Sequence, residues 1–163
     1  MEKEDIEALS YDDFNKIALK RWQKLEKDFI KLKQIEDKKK NKLTSDQESV
    51  YKFIMGDTKK AQFTVKDINI SFGKGNKREG LKHILLRHYC EGCDGEIRAR
   101  DILNIGNIIK NGNPIATIET DSYNSNNGLT GYTQEKAGHI YKLIINEKGH
   151  ISQIITTYSN KNG

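Results

Sequence analysis

Gly80-Leu81-Lys82-His83-Ile84-Leu85-Leu86-Arg87-His88-Tyr89 is the stretch on which the reading of this chain turns. Wound as a helix, it gathers Leu81, Ile84, Leu85 and His88 near one side and leaves Lys82 and Arg87 toward another. His83 and Arg87, four apart, become neighbours one turn apart. Strand-like periodicity lies on both sides of this helix. Before it, Phe63-Thr64-Val65 and Ile68-Asn69-Ile70-Ser71-Phe72 alternate. After it, His139 to Ile145 and Ile151 to Tyr158 flank Asn146-Glu147-Lys148-Gly149, the pattern of a hairpin with glycine in its turn. A helical segment between strands predicts the α+β class.

Working outward, Gly73-Lys74-Gly75-Asn76 reads as a turn or loop and matches neither of the glycine patterns that cradle phosphates. Ile97, Ile102, Leu103, Ile105, Ile108 and Ile109 mark another helix, closed by Asn111-Gly112. A small antiparallel sheet packed on two helices is therefore expected. Pro114 opens a short strand candidate, Ile115 to Ile118. Residues 121–131, rich in Asn, Ser and Gly, read as a mobile surface loop.

Residues 1–60 have a different texture, rich in lysine and glutamate with helical periodicity. Ser10 can cap a helix, with Asp13 three residues on. Phe14, Ile17, Ala18, Trp22, Leu25, Phe29 and Leu32 then recur at steps of three and four, one apolar stripe on a long helix. Trp22 is a packing residue or part of a partner-binding face. Asp37-Lys38-Lys39-Lys40-Asn41-Lys42 breaks the stripe and reads as a solvated helix end or linker. A second helix starts near Thr44 or Ser45, where Ser45 and Glu48 fit a capping box. The division predicted is a helical N-terminal region or connector over 1–60 and a second domain over 61–163.

The chain has 163 residues, 35% of them hydrophobic and 31% charged, with a formal net charge of +5. That length suits one domain with a helical appendage, and the apolar share supplies a core for only part of it. The basic balance suits an anionic partner without requiring one. No run is long and apolar enough to cross a bilayer, and Met1-Glu2-Lys3-Glu4-Asp5 lacks the apolar segment of a signal peptide. A cytoplasmic protein with no membrane partner is expected, with delivery to a target cell as part of a larger toxin left open.

The two cysteines, Cys90 and Cys93, stand in Cys-Glu-Gly-Cys just after His88. Three readings are open: half of a zinc site closed from afar by His139 or His150, a redox pair, or two reduced thiols in a turn built on Gly92 and Gly95. No second Cys-x-x-C completes a metal site, so neither metal nor other cofactor is expected.

The order of these motifs is informative. Gly-Leu-Lys-His-Ile with Arg87-His88, then a helix ending in glycine, then a hairpin ending in Thr156-Thr157-Tyr158-Ser159 resembles the phage-associated branch of the barnase/EndoU/colicin/RelE-like ribonucleases, the BECR fold. The resemblance covers about residues 63–160. It implies a metal-independent endoribonuclease used as a toxin domain, acting on RNA, tRNA included, and restrained in its producer by an immunity or antitoxin protein. It carries His83 over as the helix histidine, Arg87 and His88 as the charged end of that motif, and Thr156 and Tyr158 as last-strand hydroxyls, with Lys142 a looser match. The Cys90–Gly95 turn and the long Asn/Ser-rich loop depart from the family pattern.

The residue types suit that chemistry. Metal-free RNA cleavage uses the substrate's own 2′-OH as nucleophile, so one group takes its proton and another protonates the leaving 5′ oxygen. His83 and His88 have suitable reference pKa values. Arg87 and Lys82 or Lys142 can hold phosphate, and Thr156 and Tyr158, two apart on a strand, face one side. His83 and His88 are five apart and point in different directions on a helix, so both share a site only through a kink or a helix end. The competing expectation is a non-catalytic RNA- or protein-binding module of a phage or toxin system.

Overall fold

The computed structural model describes residues 1–115 and 129–161. Three helices come first: α1 (Lys3–Ala8), α2 (Tyr11–Lys38) and α3 (Ser45–Ile54). The hairpin of β1 (Ala61–Val65) and β2 (Ile68–Phe72) follows, then α4 (Gly80–Arg87), α5 (Ala99–Leu103) and α6 (Ile105–Asn111). The chain ends in β3 (Asn113–Ile115), β4 (Leu129–Lys136), β5 (His139–Lys148) and β6 (Ile151–Lys161). The fold is α+β, with the N-terminal helices preceding a six-stranded sheet of order β1-β2-β6-β5-β4-β3, and α4 to α6 inserted between its second and third strands in the chain. Every junction is antiparallel except β2 against β6, which is parallel and pairs only Ile70 with Ser152 and Ser71 with Gln153.

Local chemistry explains most boundaries. Ser10 accepts from the Asp13 N–H at 3.1 Å and starts α2. The α3 cap is Thr44 rather than Ser45: its hydroxyl faces the Gln47 N–H, and the Gln47 side chain accepts from the Thr44 N–H at 2.9 Å. The helix expected from Ile97 to Ile109 is two short helices, because Asn104 (φ −99°, ψ 22°) interrupts it. Ile97 lies outside both and is buried.

Three tight turns set the sheet. Lys66 and Asp67 both adopt positive φ between β1 and β2, as a type I′ turn requires. Ala137 and Gly138 do the same between β4 and β5. Gly149 alone is positive in the β5–β6 turn. The β5–β6 hairpin is longer than its apolar runs indicated, with Asn146, Glu147 and Lys148 paired within it. Leu129, Thr130 and Gly131 belong to β4 rather than to a loop; residues 121–128, and Ala116 to Ile118 of the proposed third strand, lie outside the described residues.

One apolar core runs through the described residues. Ile6, Phe14, Ala18, Leu25 and Phe29 of the first two helices share it with Val50, Phe53 and Ile54 of α3, with Ile70 and Phe72 of β2, and with Leu81, Ile84, Leu85 and Leu86 of α4. Trp22 is a packing residue. Its ring meets Phe53 edge-on at 5.5 Å, and its indole N–H donates to the Ile54 carbonyl at 2.8 Å. Phe53 in turn meets Phe72 at 5.4 Å, so the first helices join the sheet through aromatic contacts. Phe53→Ala is expected to lower stability by about 3–5 kcal/mol while leaving a single unfolding transition in urea. Two separated transitions would show that the helices and the sheet fold apart.

Candidate active site

The site is built where α4 meets the last strand. α4 has no side-chain cap at its start; the N–H groups of Leu81 and Lys82 instead donate to the carbonyls of Gly73 at 3.0 Å and Lys74 at 2.8 Å. The glycine-rich loop is thus a backbone cap. Gly75 is required there, because a Cβ on it would lie 1.9 Å from the Glu79 carbonyl oxygen.

The same loop orients His83. Its Nδ1 lies 2.9 Å from the Lys77 carbonyl oxygen. A carbonyl only accepts, so Nδ1 carries the hydrogen and the lone pair of the neutral ring sits on Nε2.

His88 is the residue at which the helix ends. Its backbone leaves helical geometry (φ −128°, ψ −19°), and this turns its ring back. The two imidazoles come within 6.0 Å, centroid to centroid, despite their five-residue separation. His88 also stacks on Tyr158 at 5.4 Å. Tyr158 pairs across the sheet with Lys142, whose ammonium stands 5.9 Å over the phenol ring. Thr156 lies on the same face of β6, opposite Ile144. Thus His83, His88, Tyr158 and Lys142 form a continuous chain of contacts, with Thr156 beside it on the strand.

The remaining site candidates point elsewhere. Lys82 donates to the Asn15 side chain at 3.0 Å, toward α2. Arg87 reaches Glu2 at 3.4 Å, near the chain's start. His150 is exposed, and His139 lies against Tyr141 at a ring distance of 6.1 Å.

The site is buried. His83, His88 and Thr156 are 6%, 7% and 6% exposed. Burial, more than the neighbouring His83 and Arg87, pushes the His88 imidazole down to a pKa of about 3, against a backbone contact with Asp94 that favours its charged form. His88 is therefore neutral at pH 7. Its Nδ1 and the Thr156 hydroxyl have no hydrogen-bond partner among the described residues.

Sequence reasoning missed the wall behind His88. Gly95 has φ +72°, and a Cβ there would lie 2.7 Å from His88 Nδ1 and 3.2 Å from the Tyr158 Cβ. The loop carrying Gly95 is fastened to the site's own elements. Ile97 N–H donates to the His88 carbonyl at 2.8 Å, Ser159 N–H to Gly95 at 3.3 Å, and the Ser159 hydroxyl to the Glu96 carbonyl. Within it, Cys90 and Cys93 form a disulfide. This overturns both the zinc reading and the reduced-thiol reading, since the sulfurs are bonded to each other and are not thiolate ligands. Among the described residues no three or more His, Cys, Asp or Glu side chains gather for a metal, and no helix is long and apolar enough to cross a membrane. Comparison with protein-family models, curated proteins and solved structures finds no match.

Two outcomes follow from this geometry. The folded pKa of His88 lies below that of the unfolded chain, so above pH 6.5 neither state takes the proton. As pH falls from about 6.5 toward 3, the unfolded chain binds a proton that the folded one refuses. This histidine then removes about 1.4 kcal/mol of stability per pH unit. Urea unfolding of the chain and of His88→Gln between pH 7 and 5 measures the difference. Gly95→Ala is expected to cost about 1–3 kcal/mol by overpacking and to shift the ring resonances of both His88 and Tyr158.

Proposed function

We propose that this chain is a metal-independent endoribonuclease, a toxin domain that acts on RNA in the cytoplasm of its target. The observation that carries the reading is the contact chain from His83 through His88 and Tyr158 to Lys142. The resemblance of these residues to the BECR ribonucleases supports it.

His83, held by Lys77 with its lone pair on Nε2, takes the proton of the substrate's 2′-OH. The 2′ oxygen forms a bond to phosphorus, and the bond from phosphorus to the 5′ oxygen breaks. His88 is neutral and is not the imidazolium acid; it is a positioning residue that holds Tyr158. The Tyr158 hydroxyl or the Lys142 ammonium donates to the leaving 5′ oxygen, and Lys142 balances the charge that grows on the phosphoryl group. The Thr156 hydroxyl, buried and lacking a described partner, is a further donor on the same strand face. Arg87 and Lys82, whose side chains meet Glu2 and Asn15, bind substrate farther out. A toxic nuclease requires an immunity or antitoxin partner in the cell that makes it. The disulfide suits a chain that passes through an oxidising compartment.

One observation favours the second reading, a non-catalytic RNA- or protein-binding module: His83 and Thr156 are almost wholly buried. The two readings separate in one assay. The nuclease is expected to cut RNA in EDTA, to leave a 2′,3′-cyclic phosphate, and to spare a substrate with 2′-deoxyribose at the cut. His83→Ala is expected to slow cleavage at least ~100-fold with its circular dichroism unchanged. Intact RNA, tRNA included, after incubation across pH 5–8 favours the binding module.

A further inference from the structure

The longest helix carries a charge pattern that its folding role leaves unexplained. The buried side of α2 is set by Phe14, Ala18, Leu25 and Phe29. On the exposed side stand Lys16, Lys20, Lys24, Lys27, Lys31 and Lys38. At about 100° per residue these six fall within about 80° of arc, and they extend along about 33 Å of helix. Between Lys16 and Lys38 no carboxylate lies in that arc; the other side chain within it is Gln34.

Such an arrangement opposes helix formation. Lys16 and Lys20, Lys20 and Lys24, Lys24 and Lys27, and Lys27 and Lys31 are neighbours on the helix surface, and like charges at these spacings repel. Elsewhere on α2 the ordinary solution appears: Lys33 pairs with Asp37 at 2.6 Å. Among the described residues only Lys24 of the stripe has a carboxylate partner, Asp28 at 3.0 Å.

The stripe meets the end of the site helix at one edge, through Lys24, with Arg21 on the flank between it and α4. Arg21 donates to the Leu85 and Leu86 carbonyls of α4 at 2.7 and 2.9 Å, and Lys24 stands 5.0 Å over the Tyr89 ring, next to His88. Lys82, one residue before His83, meets Asn15 on a flank of α2 about 100° round the helix from Lys16.

We propose that this face of α2 is a docking rail for the phosphate backbone of RNA, laid beside the site so that a bound strand reaches α4. The inference rests on the ribonuclease reading and extends it, by assigning substrate binding to a helix outside the BECR-like region. An RNA backbone fits better than an acidic protein. Protein interfaces are organised around buried aromatic or aliphatic anchors and are depleted in lysine, whereas between Lys16 and Lys38 this arc holds lysines and Gln34, and the exposed Leu19, Ile30 and Ile35 of α2 flank it without entering it. A row of evenly spread point charges matches a polyanion with a charge on every residue.

The test uses fluorescence anisotropy with a labelled, fully 2′-O-methylated RNA hairpin, which binds but has no 2′-OH to attack. Lys20→Gln/Lys27→Gln/Lys31→Gln is expected to weaken binding at least ~10-fold at low salt and to make the slope of log affinity against log salt shallower by about 2. A control triple, Lys59→Gln/Lys60→Gln/Lys148→Gln, removes the same charge from other exposed positions and is expected to bind nearly as the parent does. Thermal unfolding of the control triple is expected to match the parent, and that of the stripe triple to match or exceed it, because like-charged neighbours on α2 are removed. Equal losses in the two triples overturn the rail, because net charge alone then explains binding. Unchanged RNA binding by the stripe variant overturns it too, as does selective loss of polyglutamate binding, which would assign the face to an acidic protein. A parallel cleavage assay on unmodified RNA separates the two readings. Stripe-dependent binding without cleavage by the parent leaves the rail and removes the nuclease; cleavage with binding indifferent to the stripe leaves the nuclease and removes the rail.

Discussion

Arg21 holds the end of α4. A helix leaves its last carbonyls without internal partners, and α4 ends among buried residues, with His88 and Tyr89 next in the chain. The Arg21 guanidinium reaches from α2 and donates to two of these carbonyls, those of Leu85 and Leu86. A cation also suits the negative end of the helix dipole. Burial lowers the pKa of Arg21 from its ordinary value, yet a guanidinium remains charged at any physiological pH. Fixing this end fixes His88, the residue where the helix stops. Nearby, Asp28 of α2 accepts from the Tyr89 hydroxyl, and burial together with this contact raises the Tyr89 pKa. The site therefore depends on a helix that lies outside residues 61–163, which supply its own side chains.

How legible this was in the sequence depends on the kind of interaction. Periodic burial was legible: α2, the α4 segment and the β5–β6 hairpin all stand where apolar spacing predicted them. So was the Ser10 cap, because its partner is three residues away. β4 was not. Thr130-Gly131-Tyr132-Thr133-Gln134-Glu135-Lys136 has no apolar alternation, and it is a strand because β5 supplies a paired edge along its whole length. The β1–β2 turn was hidden for another reason. Lys66 and Asp67 adopt left-handed backbone without the glycine that usually announces it.

The two histidines show the same limit at the site. Helical spacing alone separates His83 from His88, and that argument holds only while the helix continues. It ends at His88, so the ring is placed by a non-helical backbone and by the loop through Gly95. Sequence spacing gave notice that a helix end was needed, whereas the loop contacts that supply it are tertiary. The bond between Cys90 and Cys93 is local, yet their spacing alone does not select it. The spacing left a zinc half-site, a redox pair and reduced thiols open, and the turn brings the two Cα atoms to 5.7 Å, within reach of a bridge.

The facing of Thr156 and Tyr158 turns on a single residue. Strict alternation along β6 would place Ile154, Thr156 and Tyr158 on one side, and Ile154 belongs to the core. The register does not run straight. Ile145 pairs with Ile154 and Ile144 with Thr156, so Ile155 is an extra residue in β6. Such a bulge advances the strand by one position and exchanges its faces beyond that point. Cross-strand partners share a face. Ile145 and Ile154 therefore stay with the core, while Thr156 stands with Ile144 and Tyr158 with Lys142 on the opposite side. Thr157 replaces Tyr158 on the core side, fully buried, with its hydroxyl donating to the Lys142 carbonyl at 2.8 Å. A bulky phenol on the core side would have to displace Leu143, the partner of Thr157. The Thr-Thr-Tyr sequence is thus read through the bulge: a small hydroxyl goes inward, where a carbonyl satisfies it, and the two residues on either side turn to the histidines' side of the sheet.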